Sequence, residues 1–403
     1  MEIGPILRSM RRNKPRFLLI GAEVALTLAI VVNCVALILD ARAEMTRESG
    51  FDDEHLVWVR TSNFGQEYED EAYVRDLLDR DLGALRAMPG VRAASATYFR
   101  PWQGGGSSTE VLVEGRPGMR KVRAQYYLAD PGIFETLGVT VEAGRGLTDD
   151  DFAIPSDAEV FPTVITRGLA DLLFPGGGGL GQVLVQDGDD SERYPVVGII
   201  DRFYNPYGWP IHEYALFFAA PVAGAGGTGF LVRTDPGRTE AVAGALERRL
   251  VAVADGRNVD LGTIDELRAI LQAGDRTLVT VLNLLMVLLI FVTALGIVGL
   301  TSFSVAERQR VIGTRRALGA TRGAVLRYFL VENWLVVTAG AVVGVGLAAG
   351  LNYFLLQVVE GVRLAPGLLV AGVVLLWTLG LAAALGPALR GARVEPAVAT
   401  RNV

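Results

Sequence analysis

His212 and Glu213 come nearest in this chain to a hydrolytic metal site. In a helical H-E-x-x-H, two imidazoles hold one zinc and the carboxylate activates its water. Here the second histidine is missing, and His55 and His212 are the only two histidines available for metal or acid–base chemistry. The single cysteine, Cys34, excludes an intramolecular disulfide and a cysteine-rich zinc site. No G-x-S-x-G presents a serine nucleophile, no Walker A loop cradles a triphosphate, and no G-x-G-x-x-G opens a helix. The glycine-rich stretches Gly104–Gly106 and Gly176–Gly179 lack a following Gly-Lys-Ser/Thr and read as loop tips. Asp149-Asp150-Asp151 and the trio Asp187, Asp189 and Asp190 lie in glycine-rich loops and read as solvated turns rather than a calcium site. The expectation is a chain that is not itself an enzyme and binds neither cofactor nor metal.

What the sequence does carry is apolar length. Of 403 residues 51% are hydrophobic and 20% charged, and mean hydropathy is +0.35, which points away from a soluble protein. Four runs account for it: Phe17 to Leu39, Thr277 to Ala306, Trp334 to Val359 and Leu364 to Leu389. Each exceeds the roughly 20 residues a helix needs to cross the hydrocarbon core. The first is too long for a signal-peptide core and lacks a small-residue cleavage site, so it reads as a retained helix. It carries the one ionisable residue in the four runs, Glu23, about one and a half turns in, where a shallow contact is favoured over a proton relay. The net charge of −6 and pI near 5.3 argue against a nucleic-acid partner.

Basic residues orient the spans. Arg8, Arg11, Arg12, Lys14 and Arg16 precede the first helix. Arg308, Arg310, Arg315, Arg316, Arg322 and Arg327 fill the loop between the second and third, and Arg390, Arg393 and Arg401 follow the fourth. The positive-inside rule puts both termini and this loop in the cytoplasm. Residues 41–275 then form one extracytoplasmic domain, with 37 acidic and 22 basic residues, so nearly all the negative charge lies outside. The division expected is 1–40 for the N-terminal segment and first helix, 41–272 for the outer domain, and 273–403 for the remaining membrane domain with its loop at 307–327.

The outer domain reads as mixed α/β. Strand 55–62, a helix over 69–87 with Tyr73, Leu77, Leu78, Leu82 and Leu85 on one side, and strand 91–99 make one β-α-β unit. Strand 229–234, helix 239–254 and strand 257–263 make another, and the pair suggests a ferredoxin-like subdomain. Between them TEVLVEG, KVRAQYYLA, VLVQ, YPVVGII and EYALFFAA read as short strands of a second, β-rich lobe. Thr263-Ile-Asp-Glu266 fits a capping box. The apolar spacing beyond it predicts one helix running on into the second membrane span as a stalk, with a hinge near Gly274 as the other possibility.

Two membrane-domain segments have specific patterns. Gly340 and Gly344, with Gly346 and Gly350, form small-residue strips that let another helix approach closely, either within the chain or from a second copy. The loop Glu307 to Thr321 is a short basic helix-former that Gly313 and Gly319 are expected to break. Arg308, Arg315 and Arg322 are seven apart, as are Val311 and Leu318, so a continuous helix would gather each set on one side. The plain reading is a topological anchor, the sharper one a contact surface for a cytoplasmic partner.

With these residues in place the chain resembles the MacB/FtsX-type family of ABC transporter permeases. Members carry an E-R-x-x-E-I-G-x-x-R-A-L-G-A-like stretch in this loop, matched here by Glu307, Arg308, Ile312, Gly313, Arg316, Ala317, Leu318, Gly319 and Ala320. Val311 stands where the family usually has glutamate. Residues 131–147, 164–174 and 195–201 resemble recurring segments of the family's periplasmic core. The resemblance implies a four-helix permease of the bacterial inner membrane, working as a dimer of the same or paralogous chains. Each copy would engage a separate ABC ATPase that holds the ATP and magnesium. The coupling surface would comprise Glu307, Arg308, Gly313, Arg315, Arg316, Ala317, Leu318, Gly319 and Ala320. ATP-driven motion would pass through the helices to the outer domain, for efflux or extraction at the outer face, with or without a periplasmic adaptor. Lipoprotein release and regulation of a cell-wall hydrolase are the alternatives. The latter is disfavoured by an outer domain of about 235 residues, since such regulators usually have a much smaller one.

Overall fold

The computed structural model describes residues 14–102, 107–116, 121–154, 158–186, 189–206, 211–219, 226–358 and 364–393. The Gly104–Gly106 stretch, Asp187, Arg8, Arg11, Arg12 and Arg401 lie outside them. The chain divides into two units, 47–273 and the remainder.

The first unit is built on the two β-α-β repeats. Strands β1 (Leu56–Asn63), β2 (Val91–Thr97), β10 (Gly229–Thr234) and β11 (Arg257–Thr263) lie in the order β11-β1-β10-β2, every pair antiparallel. With α2 (Glu71–Arg86) and α6 (Thr239–Val251) on one face, this is the ferredoxin-like arrangement. Asp70 starts α2 by accepting from the Ala72 and Tyr73 amides at 2.8 and 3.4 Å. Leu78, Leu82 and Leu85 of α2 and Val242, Leu246 and Leu250 of α6 pack on Val57, Val59, Phe230 and Val232 of the sheet. The apolar side expected from 3.6-residue spacing is thus the buried one, although Tyr73 lies at its half-buried margin.

Strands β3 (Ser107–Val113), β4 (Val122–Ala129), β5 (Val141–Gly144), β6 (Thr163–Thr166), β7 (Val183–Gln186), β8 (Asp189–Ile200) and β9 (Ala215–Ala219) make the second lobe. It is not a separate sheet: Thr97 of β2 pairs with Ala129 of β4, which joins both lobes in one ladder. Neighbours run β4-β3-β7-β8-β6-β9, and β9 pairs back to β4 through Gln125↔Ala215 to Ala129↔Ala219, closing a ring of six strands. Strands β5 and β6, each only four residues long, carry too few alternations for a period-2 signal. Of three short helices, α3 (Ile133–Leu137) lies against β2 and β10, while α4 (Asp149–Phe152) and α5 (Arg167–Leu173) pack on this lobe. The three aspartates at 149–151 form α4 itself. Thr148 and Asp151 make its capping box, and Arg145 grips Asp151 at 2.5 and 2.9 Å. Burial of Asp151 pushes its carboxyl up, but the Arg145 and Thr148 hydrogen bonds win and hold it below the usual carboxylate range.

The second unit contains four apolar helices: α1 (Lys14–Met45), α7 (Ile264–Glu307, whose first turns belong to the outer unit), α9 (Arg322–Val358) and α10 (Pro366–Ala392). Helix α7 starts at the capping box, with the Glu266 amide donating to Thr263 Oγ1 at 3.1 Å and the Thr263 amide to Glu266 Oε2 at 3.2 Å. It runs unbroken through Gly274 for 44 residues. Helices α1, α7 and α9 begin before their apolar runs. In particular α9 begins at Arg322, so Glu332 belongs to a membrane helix and the expectation that Glu23 is the only ionisable residue in the spans is corrected. Thr27 and Thr293 share a hydrogen bond at 2.8 Å between α1 and α7. Asn33 donates to the Ala29 and Ala348 carbonyls at 2.8 and 3.1 Å and accepts from Asn352 at 3.3 Å, linking α1 to α9 inside the bilayer.

Candidate coupling helix between the second and third membrane spans

The loop residues singled out by sequence lie on and around α8 (Gln309–Ala317). Gly313 does not break this helix. It is buried in the middle of it, beside Ile312, which packs with Val305, Val325, Phe329, Ala388 and Ala392. Burial within a continuous helix, rather than a break, is what the structure gives this glycine. Gly319 does terminate the helix. Its φ of +99° is the left-handed conformation that glycine adopts without strain. The Gly319 amide donates to the Arg316 carbonyl at 3.1 Å and the Ala320 amide to the Arg315 carbonyl at 3.0 Å, the two bonds of a Schellman closure. Thr321 then caps α9, accepting from the Ala324 amide at 3.2 Å. The R-A-L-G-A-T run is therefore a stop-and-restart signal: it ends one helix and begins the next.

The expected arginine stripe is not formed. Arg308 is the break between α7 and α8, and Arg322 opens α9, so neither shares a helix with Arg315. The guanidinium of Arg308 turns inward and grips Glu332 with two bonds of 3.0 Å, while donating to Tyr328 Oη at 2.9 Å. Glu307 faces Arg16 of α1 at 3.1 Å, and the Arg16 guanidinium also lies 3.8 Å from the centre of the Phe303 ring. Glu307 and Arg308 are thus engaged inside the unit. Arg315 lies at the rim, its guanidinium 6.0 Å from the Tyr328 ring centre. Arg316 is half-buried, Ala317 exposed and Ala320 half-buried. The outward side carries Val311, 53% exposed, and Leu318, 84% exposed, together with Arg310, Thr314 and Arg315. An apolar pair ringed by cations on a helix anchored by its other side is a surface suited to a groove with an acidic rim.

The four helix-packing glycines separate into two kinds. Gly340 and Gly344 lie against α1, where an added Cβ would stand 2.7 Å from the Gly21 carbonyl oxygen and 2.9 Å from that of Ala25. Gly346 and Gly350 have nothing within 4 Å of that position. Tyr328 and Glu332, which hold Arg308, escaped the sequence reading. A carboxylate two residues before an apolar run and an arginine in the adjoining loop were the only trace of their pairing.

The model of the MacB-like periplasmic core domain matches residues 23–249, and that of the FtsX-like permease C-terminal region matches 283–396. The macrolide export ATP-binding/permease protein MacB 1/2 of Paracoccus denitrificans is 26% identical over 407 residues, covering 98% of this chain and 58% of that protein. A MacB of Neisseria meningitidis is 25% identical over 284 residues, 68% of this chain and 42% of its own. The chain thus spans about half the length of these curated relatives. The ABC transporter permease YknZ of Bacillus subtilis is 23% identical over 329 residues, covering 80% of this chain and 78% of that protein. Among solved structures, the periplasmic region of MacB from Actinobacillus actinomycetemcomitans aligns with a TM-score of 0.36 and 14% identity, over 57% of this chain and 98% of that one. With the core-domain model covering residues 23–249 and the permease model covering the C-terminal membrane helices, the chain belongs to the MacB/FtsX-type family of ABC transporter permeases.

Proposed function

We propose that this chain is the permease subunit of an ABC transporter, whose α8 receives ATP-driven motion from a separate ATPase. Its membrane helices pass that motion to the extracytoplasmic domain, for efflux or extraction of a substrate at the outer face. The observation that carries the reading is the construction of α8. One side is locked into the helix bundle by Ile312, and the other presents Val311 and Leu318 to solvent beside Arg315. Two polar pairs inside the spans, Thr27 with Thr293 and Asn33 with Asn352, tie helices to one another, which suits a machine that moves its outer domain rather than a pore. In this reading ATP and magnesium reside on the partner ATPase, the cytoplasm faces α8, and a second permease copy joins through spans whose apolar sides lipid otherwise covers. Helix α7 is the least buried of the four spans, which leaves most of its apolar surface for those contacts.

Orientation is tested by thiol labelling. In a Cys34→Ser background, cysteine at the exposed Ser107 is expected to react with an impermeant reagent in spheroplasts, and cysteine at the exposed Thr314 is not. Labelling at 314 alone inverts the topology. Coupling is tested by charge reversal. Arg315→Glu with Arg316→Glu is expected to weaken ATPase binding about tenfold, or to leave ATP hydrolysis running without transport. Insertion survives because Arg308, Arg310, Arg322 and Arg327 remain. A double variant that binds and couples like wild type reduces α8 to a topological anchor.

A further inference from the structure

We infer that the mouth of the six-stranded ring in the outer unit is a binding site for a small organic cation with an apolar body. The ring's interior is closed over most of its length by Ile165, Leu184, Val196 and, from α5, Leu169 and Leu173. At one end it opens into a cavity of about 360 Å³, bounded by β3, β4, β8 and β9. That is the size of a small ligand site, and barrel mouths are where such sites recur.

Four aromatic rings wall it. Phe218 stacks on Tyr126 with centres 5.9 Å apart and meets Tyr194 at 5.6 Å and Phe161 at 6.3 Å, while Phe161 and Tyr194 are 6.2 Å apart. Phe161 and Tyr194 are buried, whereas Tyr126 and Phe218 are half-buried and line the opening. Strand alternation produces this wall: Tyr126 and Phe218 point into the ring, while their neighbours Tyr127 and Phe217 point out into the core shared with the ferredoxin-like lobe.

Glu192 gives the wall its sign. Among the described residues it is the one charged side chain lining the cavity, half-buried, with its carboxylate accepting from the Tyr194 hydroxyl. Two arginines flank these strands without lining the cavity: Arg193 bonds Glu114 at 2.7 Å, and Arg123 donates at 3.0 Å to Ser108 Oγ, itself a lining residue. Aromatic faces attract a cation through their quadrupoles and a carboxylate attracts it by charge, so both features select the same ligand class and oppose an anion. Thr109 and Gln186 add polar groups at the rim.

The test uses the full chain in lipid nanodiscs, titrated calorimetrically with 1-naphthylmethyl-trimethylammonium against empty nanodiscs, with naphthalene-1-sulfonate as the anionic counterpart. Saturable binding of the cation alone is expected. Glu192→Gln, which keeps shape and fold, should weaken it about tenfold, and Phe218→Leu should do the same through loss of a ring face. The melting temperature of each variant, unchanged for Glu192→Gln, separates lost binding from lost fold. Absence of saturable cation binding, equal binding of the sulfonate, or an affinity indifferent to both substitutions overturns the site.

Discussion

Replacing Asp81 with alanine is expected to destabilise the outer unit by about 3–5 kcal/mol. Asp81 and Arg257 are 2% and 0% exposed at their side chains and meet through two bonds of 2.6 and 2.7 Å. The same guanidinium donates to the Leu250 carbonyl at the end of α6, so one side chain at the start of β11 pins both helices of the ferredoxin-like lobe. Removing the carboxylate leaves a fully buried guanidinium with the Leu250 carbonyl but no counter-charge, and that desolvation sets the size of the effect. For a unit of this length the loss corresponds to roughly 10 °C or more in melting temperature, read by thermal unfolding of the purified chain. Asp81→Leu combined with Arg257→Met removes both charges at once and should recover most of the loss. A single Asp81→Ala variant that melts with wild type would show the pair to be solvated and the prediction wrong.

Asp81 also illustrates what could be read from the sequence and what could not. Its neighbours Leu77, Leu78, Leu82 and Leu85 define the buried side of α2, and Asp81 lies four residues from Leu77 and from Leu85, on that same side. A carboxylate there announces a buried partner. The partner, however, is 176 residues away, across the whole second lobe, and no local pattern could identify it. The two β-α-β repeats and the four spans were legible because strong periodicity and long apolar runs are local signals. The closure of six strands into a ring was not, since it depends on a parallel pairing of β4 with β9 across the intervening lobe.

The same division runs through the loop between the second and third spans. Its Schellman stop at Gly319 belongs to local backbone chemistry. The continuity of the helix through Gly313 does not, because it goes with tertiary burial, here alongside Ile312, which packs into the cluster around Phe329 and Ala388. Seven-residue spacing suggested that Arg308, Arg315 and Arg322 share a side. A shared side requires one continuous helix, and the break at Arg308 interrupts it.

That break leads to the second large effect, expected from the pair of Arg308 and Glu332. Their side chains are 17% and 5% exposed, and their two 3.0 Å bonds fasten the start of α8 to the body of α9. If α8 is the surface an ATPase pushes, force reaches the spans through this bond as well as through the apolar packing of Ile312. Arg308→Met strands the deeper group, the carboxylate, and should cost about 3–5 kcal/mol. Glu332→Met strands the shallower guanidinium, whose long stem lets it reach toward water, so its cost should be smaller. The double substitution Arg308→Met with Glu332→Met removes the stranded charge and should restore thermal stability of the purified chain to near wild type. Transport coupling should not return with it, because an apolar contact lacks the directional grip of a bidentate pair. Stability and coupling thus become separable readouts. If the double variant recovers both, the ion pair only stabilises the bundle, and the packing of Ile312 on Val325 and Phe329 carries the motion alone.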